Sequence, residues 1–280
     1  MSALSSVLLG FIQGVAEFLP ISSSGHLSIF QNLFGLNTAE EGHLFFDVLL
    51  HLGTLISVFI MYRKDIGAML REVIGWFSRG GKRGGEAVSS KPSPAGRLVF
   101  MLILSILPLF VVLPFKDYVE QLYYNTIFIG IALLLTGCML YVADKMASGK
   151  RNEKNMTVGN ALVVGICQAV AVIPGLSRSG ATITAGMAVG FDREFAVKFS
   201  FLMSIPAILG ANILSLIDAV KEGFDTSLLP VYFLGMLVAA VVGCVAIGLV
   251  RSLSKRGKFG YFAYYCWGAG IIAIILSIIF

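Results

Sequence analysis

Charge is what this chain has least of. Only 13% of its 280 residues are Asp, Glu, Lys or Arg, while 57% are hydrophobic and the mean hydropathy is +0.86. A soluble globular domain carries about 25% charged residues, so that class is excluded and the chain reads as an integral membrane protein. Apolar runs of about 20 residues recur, each long enough to cross a bilayer core. Cysteine is scarce as well: Cys138, Cys167, Cys244 and Cys266 lie in apolar segments without metal-ligand spacing, and read as small core residues. The aromatic and Met-rich segments contain no cofactor box. No basic leader precedes the first apolar stretch, so a cleavable signal peptide is not expected. A net charge of +5 and a pI near 9.0 suggest a nucleic-acid partner, but the basic residues have a topological explanation instead.

What is present is a polar stretch, Gln13-Gly-Val-Ala-Glu17-Phe-Leu-Pro20-Ile-Ser22-Ser23-Ser24-Gly25-His26, and its echo, Gln168-Ala-Val-Ala-Val172-Ile-Pro174-Gly175-Leu-Ser177-Arg178-Ser179-Gly180-Ala-Thr182. Superposed without a gap, 155 residues apart, they match Gln13 to Gln168, Ser22 to Ser177, Ser24 to Ser179 and Gly25 to Gly180. Each reads as an apolar helix that stops in a Pro, Gly and Ser cluster and resumes as a second short helix. Such a break exposes backbone groups that lipid cannot satisfy, so it belongs inside protein or beside water. Paired breaks in corresponding places point to the working site.

The expected fold is all-α: six transmembrane helices plus two re-entrant hairpins, arranged as inverted repeats. The first repeat, 1–157, has a hairpin at 3–36 and spans at 44–62, 98–115 and 123–143. Between them come a polar patch with Glu40, Glu41 and His43, an interfacial helix over Ile66 to Phe77, a glycine-rich run to Gly85, and a short turn at Lys116 to Leu122. The second repeat, 158–280, has a hairpin at 158–190 and spans at 195–217, 230–250 and 260–280. Lys and Arg number eight, four and four in the connections 63–97, 145–157 and 251–258, against Lys116 and Lys221 in the alternating ones. That bias makes the first set cytoplasmic, and the resulting path inverts the second half relative to the first. The hairpin tips are expected to meet near the membrane centre.

Few charges remain at depth: Glu17, Asp47, Arg178 and Lys198, with His26 and His51 as titratable neighbours. Such residues are costly in hydrocarbon and are functional candidates. Freed N–H groups at a helix start, the hydroxyls of Ser22, Ser23, Ser24, Ser177 and Ser179, with Gly25 and Gly180 where the chain re-enters a helix, and an Arg fork together suit phosphate, and two facing cradles suit a diphosphate. Thr182 is placed to reach the same anion. The plainer readings are that Glu17 and Arg178 merely fasten the hairpins, that the serines are N-caps, and that His26 is a satisfied core residue. Acid, imidazole, hydroxyl and Arg nevertheless form a parts list for phosphoryl transfer. Asp47 and His51, four apart, either support the site or pair with each other. Asp192-Arg193-Glu194 reads as a solvated cap at a span boundary.

At these residues the chain resembles the bacitracin-resistance type of undecaprenyl-diphosphate phosphatase. That family's (Glu/Gln)-x-x-x-Glu motif is met by Gln13 and Glu17, its Phe-Leu-Pro-(Ile/Val)-Ser-Ser-(Ser/Thr)-Gly-His run by residues 18–26, and its Pro-Gly-x-Ser-Arg-Ser-Gly-Ala-Thr run by residues 174–182. The resemblance implies an enzyme of the bacterial inner membrane. Acting on the outer side, it would remove the terminal phosphate of a C55 isoprenyl diphosphate carrier and return carrier phosphate to cell-wall synthesis. It also implies essential roles for Glu17, Ser23, His26, Ser177, Arg178 and Thr182. Where some relatives have a first Glu this chain has Gln13, which leaves Glu17 and the phosphate oxygens as the ligands for Mg²⁺ or Ca²⁺.

The expected chemistry is in-line attack by Ser23 or water on the terminal phosphorus, with Arg178, Ser177 and cradle N–H groups holding oxygens. His26 would handle protons, and Glu17 would orient His26 or bind metal. Beside a diphosphate, Glu17 has to be paired, protonated or metal-bound. The rival from another class is a transporter or flippase of a lipid-linked phosphate, since carriers share this architecture. The oligomeric state, a homodimer included, is left open.

Overall fold

Residues 1–34, 44–79, 93–222 and 225–279 of the computed structural model are described. The expected patch at Glu40, Glu41 and His43, and the glycine-rich run from Gly80, lie outside them. The described residues are helical throughout apart from connections and one isolated bridge, Arg151 with Phe191.

Helix α1, Ala3–Ala16, starts at Ser2, whose hydroxyl caps Ser5 N. It stops ahead of Pro20, which lacks a backbone N–H and biases the residue before it away from the helical region. Ser22 then turns the chain with a φ of +73°, and α2, Ser23–Phe34, begins. Helix α3, Leu44–Met61, runs into α4, Arg63–Arg79, across an 86° bend. The bend separates the expected span from the helix expected over Ile66 to Phe77. Helix α5, Pro94–Ile106, loosens into two 3-10 stretches, Leu107–Val111 and Leu113–Phe115, each with a proline near its start. The turn expected after them is helical: α6, Lys116–Leu122, precedes α7, Thr126–Lys145.

The second half opens with α8, Val158–Val170, a break carrying Pro174 and Gly175, and α9, Arg178–Ala188. It closes with α10, Arg193–Glu222, which contains Pro206, then α11, Leu229–Lys255, and α12, Gly260–Ile279. Among the described residues, five helical stretches are long and apolar enough to cross a membrane, and six if α3 and α4 count as one bent span. Large apolar side chains such as Phe100, Leu135, Val245 and Ile272 point outward. An apolar exterior of this kind fits lipid rather than water as the surrounding solvent. The chain is a multi-pass membrane protein.

Small residues let the helices approach closely, as lipid-embedded packing requires. A Cβ on Gly10 of α1 would collide with the Gly235 carbonyl of α11, and one on Gly165 of α8 with the Ser105 carbonyl of α5. Gly10 and Gly165 are themselves 155 residues apart. Of the four cysteines only Cys266 is buried, and Cys138 is exposed. The core position expected of all four holds for Cys266 alone, and a thiol facing acyl chains costs little. Lys198 is not isolated at depth: its Nζ lies 2.6 Å from Asp65, tying α10 to α4. Asp192 caps the N-terminus of α10 as expected, accepting from Phe195 N at 2.7 Å.

Candidate active site

The two breaks touch. Beside Gly25, the space a Cβ would need ends 3.1 Å away at Gly175 Cα, and Ser179 Oγ donates to Leu19 O at 3.4 Å. They are also built alike. Ser22 Oγ accepts from Gly25 N at 3.2 Å, and Ser177 Oγ accepts from Gly180 N at 3.1 Å, so matched serines cap matched helices. The plainer reading therefore holds for these two hydroxyls: each fills an N-cap position. Thr136 of α7 braces the second break from outside, accepting from Ser177 N at 3.1 Å and donating to Gly175 O at 3.3 Å.

A cavity of about 690 Å³ opens against the joined breaks, within the size range of ligand pockets. Its polar wall carries Glu17, Ser23, Ser24, Ser177, Arg178 and Ser179. Helix α3 adds Asp47 and His51, and α8 adds Gln168. The 3-10 stretches after α5 supply an apolar wall with Leu109, Phe110, Val112 and Leu113, faced by α10 from Pro206 to Ser215, while Lys116 also borders the space.

Glu17 is the hub. Arg178 Nη2 pairs with its Oε1, Ser23 Oγ donates to its Oε2 at 2.7 Å, and Gln13 Nε2 donates to the same oxygen at 3.2 Å. The side chains of Glu17 and Arg178 are 5% and 21% exposed. A buried pair of this kind offsets its desolvation only while both partners stay, and removing one costs roughly 3–5 kcal/mol. The expectation that Glu17 must be paired is met by Arg178.

Six expected members stand elsewhere. His26 does not border the cavity: its Nδ1 donates to Ser22 O at 2.7 Å and its Nε2 meets Tyr265 Oη at 2.8 Å. A carbonyl can only accept, so Nδ1 carries the proton and Nε2 accepts from the tyrosine. Glu17 thus orients Ser23, not His26. Thr182 is turned away into the protein, its hydroxyl 2.6 Å from Ser200 Oγ and 2.8 Å from Arg178 O. Its spacing from Ser177 suggested a shared anion, but helical rotation carries it to the α10 side. Gln13 lies behind Glu17 as a brace. Ser22, Gly25 and Gly180 likewise shape the breaks rather than border the cavity.

Conversely, His51 and Asp47 do border it. They do not pair side chain to side chain through the imidazole: His51 Nδ1 donates to the Asp47 backbone oxygen at 2.8 Å. Gln168, matched to Gln13 in the echo but given no role by sequence reasoning, faces the cavity as well. It is 2% exposed, and neither its amide nitrogen nor its oxygen has a hydrogen-bond partner among the described residues. Leaving such a group unpaired costs roughly 1–3 kcal/mol.

As a resident metal site the donor set does not fit. Among the described residues no three His, Cys, Asp or Glu side chains cluster for a cation, and both oxygens of Glu17 already serve Arg178, Ser23 and Gln13.

Two broken helices joined at a charged cavity, inside a shell of apolar spans, define a polytopic membrane protein whose cavity is lined from both halves of the chain. Its sequence matches the family model of the bacitracin resistance protein BacA over residues 6–272. It is 40% identical over 281 residues to a protein of Alkaliphilus metalliredigens named undecaprenyl-diphosphatase, with both chains covered completely. Proteins of the same name from Methanosphaera stadtmanae and Desulforapulum autotrophicum are 38% and 40% identical, over 100% of this chain and 99% and 100% of theirs. The chain belongs to the bacitracin resistance protein BacA family.

Proposed function

We propose that the protein hydrolyses undecaprenyl diphosphate to undecaprenyl phosphate and inorganic phosphate, returning a lipid carrier to cell-wall synthesis. The observation that carries this reading is the Ser23–Glu17–Arg178 chain of contacts at the cavity: a hydroxyl, a carboxylate that can take its proton, and a guanidinium from the opposite break. The names of the relatives supply the substrate, and the apolar wall of the cavity suits the first isoprene units.

Ser23 Oγ attacks the terminal phosphorus in line and passes its proton to Glu17. The bridging P–O bond breaks, and undecaprenyl phosphate leaves with the electron pair and takes up the proton held by Glu17, which is a carboxylate again. Water then attacks the phosphoserine, Glu17 receives a proton from that water, and the serine oxygen regains one as phosphate departs. Arg178 has five N–H donors. It can keep one on Glu17 and turn others to the phosphoryl oxygens as charge builds there. Ser24, Ser177 and Ser179 line the cavity as further donors. His26 acts through the backbone, holding the Ser22 carbonyl and so the turn that presents Ser23. Thr182 fixes α9 against α10. Mg²⁺ or Ca²⁺ is better suited to arrive on the diphosphate's own oxygens than to reside on this donor set.

The wider architecture belongs to the same proposal: two inverted repeats, 1–157 and 158–280, each with a re-entrant hairpin and three spans, in the inner membrane with the site opening outward. Helix packing supports it, because α3 packs on its counterpart α10, α7 packs on its counterpart α12, and α1 on α11 is mirrored by α8 on α5. The Lys and Arg distribution supports the orientation.

The test is phosphate release from a short-chain prenyl diphosphate by purified protein, with acid quench to trap phosphoserine at Ser23. Vesicle transport of a lipid-linked phosphate without phosphate release would favour the carrier reading and overturn this one.

A further inference from the structure

One polar side chain at the cavity has no part in the chemistry above. Gln168 occupies on α8 the place that Gln13 occupies on α1. In the first half that amide has a fixed partner: Gln13 Nε2 donates to the carboxylate of Glu17, four residues on. In the second half the residue four positions on is Val172, and Gln168, a cavity-lining residue 2% exposed, has a buried amide that meets no hydrogen-bond partner among the described residues. Native proteins rarely keep a buried carboxamide in that condition without a use for it. Arg178, which also borders the cavity, gives an anion bound there a cation to face.

We propose that Gln168 is a substrate-binding residue whose Nε2–H donates to a non-bridging phosphoryl oxygen of the prenyl diphosphate. The ligand's anionic oxygen then stands to Gln168 as the Glu17 carboxylate stands to Gln13. Duplication supplied two glutamines with the same need, and the second half meets it with the substrate. An N–H donor beside an acceptor oxygen also matches a monoprotonated phosphate, which offers one of each. The assignment rests on the phosphatase reading.

The experiment uses the full chain in detergent as wild type, Gln168→Leu and Gln168→Glu, with a prenyl diphosphate in steady-state turnover and inorganic phosphate in thermal shift. A lost hydrogen bond to a charged group raises KM about tenfold in Gln168→Leu, with most of the loss in KM rather than kcat. Gln168→Glu, equal in size but anionic, loses more than about a hundredfold in kcat/KM through repulsion. Ligand-free Gln168→Leu melts at or above wild type, because an unpaired buried amide is gone. Inorganic phosphate raises the melting temperature of wild type and not of Gln168→Leu.

Wild-type turnover with both variants within twofold of its KM overturns the proposal. So does a lowered melting temperature in Gln168→Leu with unchanged KM, which would mean that an internal water satisfies the amide. Should Gln168→Leu fail to fold, the isosteric Gln168→Glu decides through KM. Should wild type release no phosphate from the diphosphate, the phosphatase reading falls, and the phosphate-induced shift alone then decides whether Gln168 binds the anion.

Discussion

The two breaks share a frame and differ in their cargo. Both are capped by a serine three residues ahead of a glycine, Ser22 with Gly25 and Ser177 with Gly180, and both begin from a helix that abuts a partner through glycine at the same register. Where they diverge, the chemistry sits: Glu17 against Val172, Ser23 against Arg178, His26 against Ala181. One break supplies carboxylate and hydroxyl, and the other supplies the cation and an amide free for a ligand. The repeated serines and glycines keep each break folded where helical hydrogen bonding stops, and in the proposed mechanism the unrepeated Glu17, Ser23 and Arg178 carry the chemistry.

That division can be broken experimentally. The largest effect is expected from Arg178→Ala, which removes the second break's cation. Phosphate release should fall by about 10³-fold or more, Arg178→Lys should recover part of it, and the unpaired Glu17 should cost roughly 3–5 kcal/mol in unfolding. Near-normal release would return Arg178 to a mere fastener. Next comes Ser23→Ala, expected to lose about 10²–10⁴-fold and to abolish the acid-stable phosphoserine, while Ser24→Ala loses under about tenfold. A phosphoserine that persists in Ser23→Ala would move the nucleophile elsewhere.

His26 tests whether the first break's third distinctive residue touches the reaction or only holds the turn. His26→Ala should cost about 10²-fold through misplacement of Ser23. His26→Asn keeps a donor for the Ser22 carbonyl, so it should recover much of that with an unaltered pH profile of kcat. A shifted profile would restore His26 as a proton carrier.

The smallest effects belong to the shared frame. Ser22→Ala and Ser177→Ala should each cost about 1 kcal/mol as lost caps, seen as matching falls in melting temperature. Gly175→Ala sharpens the comparison from the other side. Gly175 has a φ of +88°, and its Cβ would lie 2.7 Å from both Ala132 Cβ and Ile129 O, so the strain, about 1–3 kcal/mol before the overlap is counted, should exceed either cap loss.

Much of this was legible in the chain. Hydropathy marked the spans because lipid tolerates few charges, and the echo at 155 residues marked both breaks and their serines. The pairing of Glu17 with Arg178 was foreseeable, since a lone charge at that depth is too costly to keep. Direction was not legible. His26 stands three residues from Ser23 in the sequence, yet its ring turns to Tyr265 on α12, whereas His51, far from either motif, borders the cavity. Thr182 was misread for the same reason.

The sequence by itself determined that this is a membrane protein with two broken helices and a few charges too costly to leave unpaired at depth, because composition and residue spacing set the cost of every alternative. Only the tertiary structure decided which side chains look into the common cavity. That depends on how α3, α8, α10 and α12 rotate against the breaks, and rotation about a helix axis is fixed by packing between elements distant in the chain.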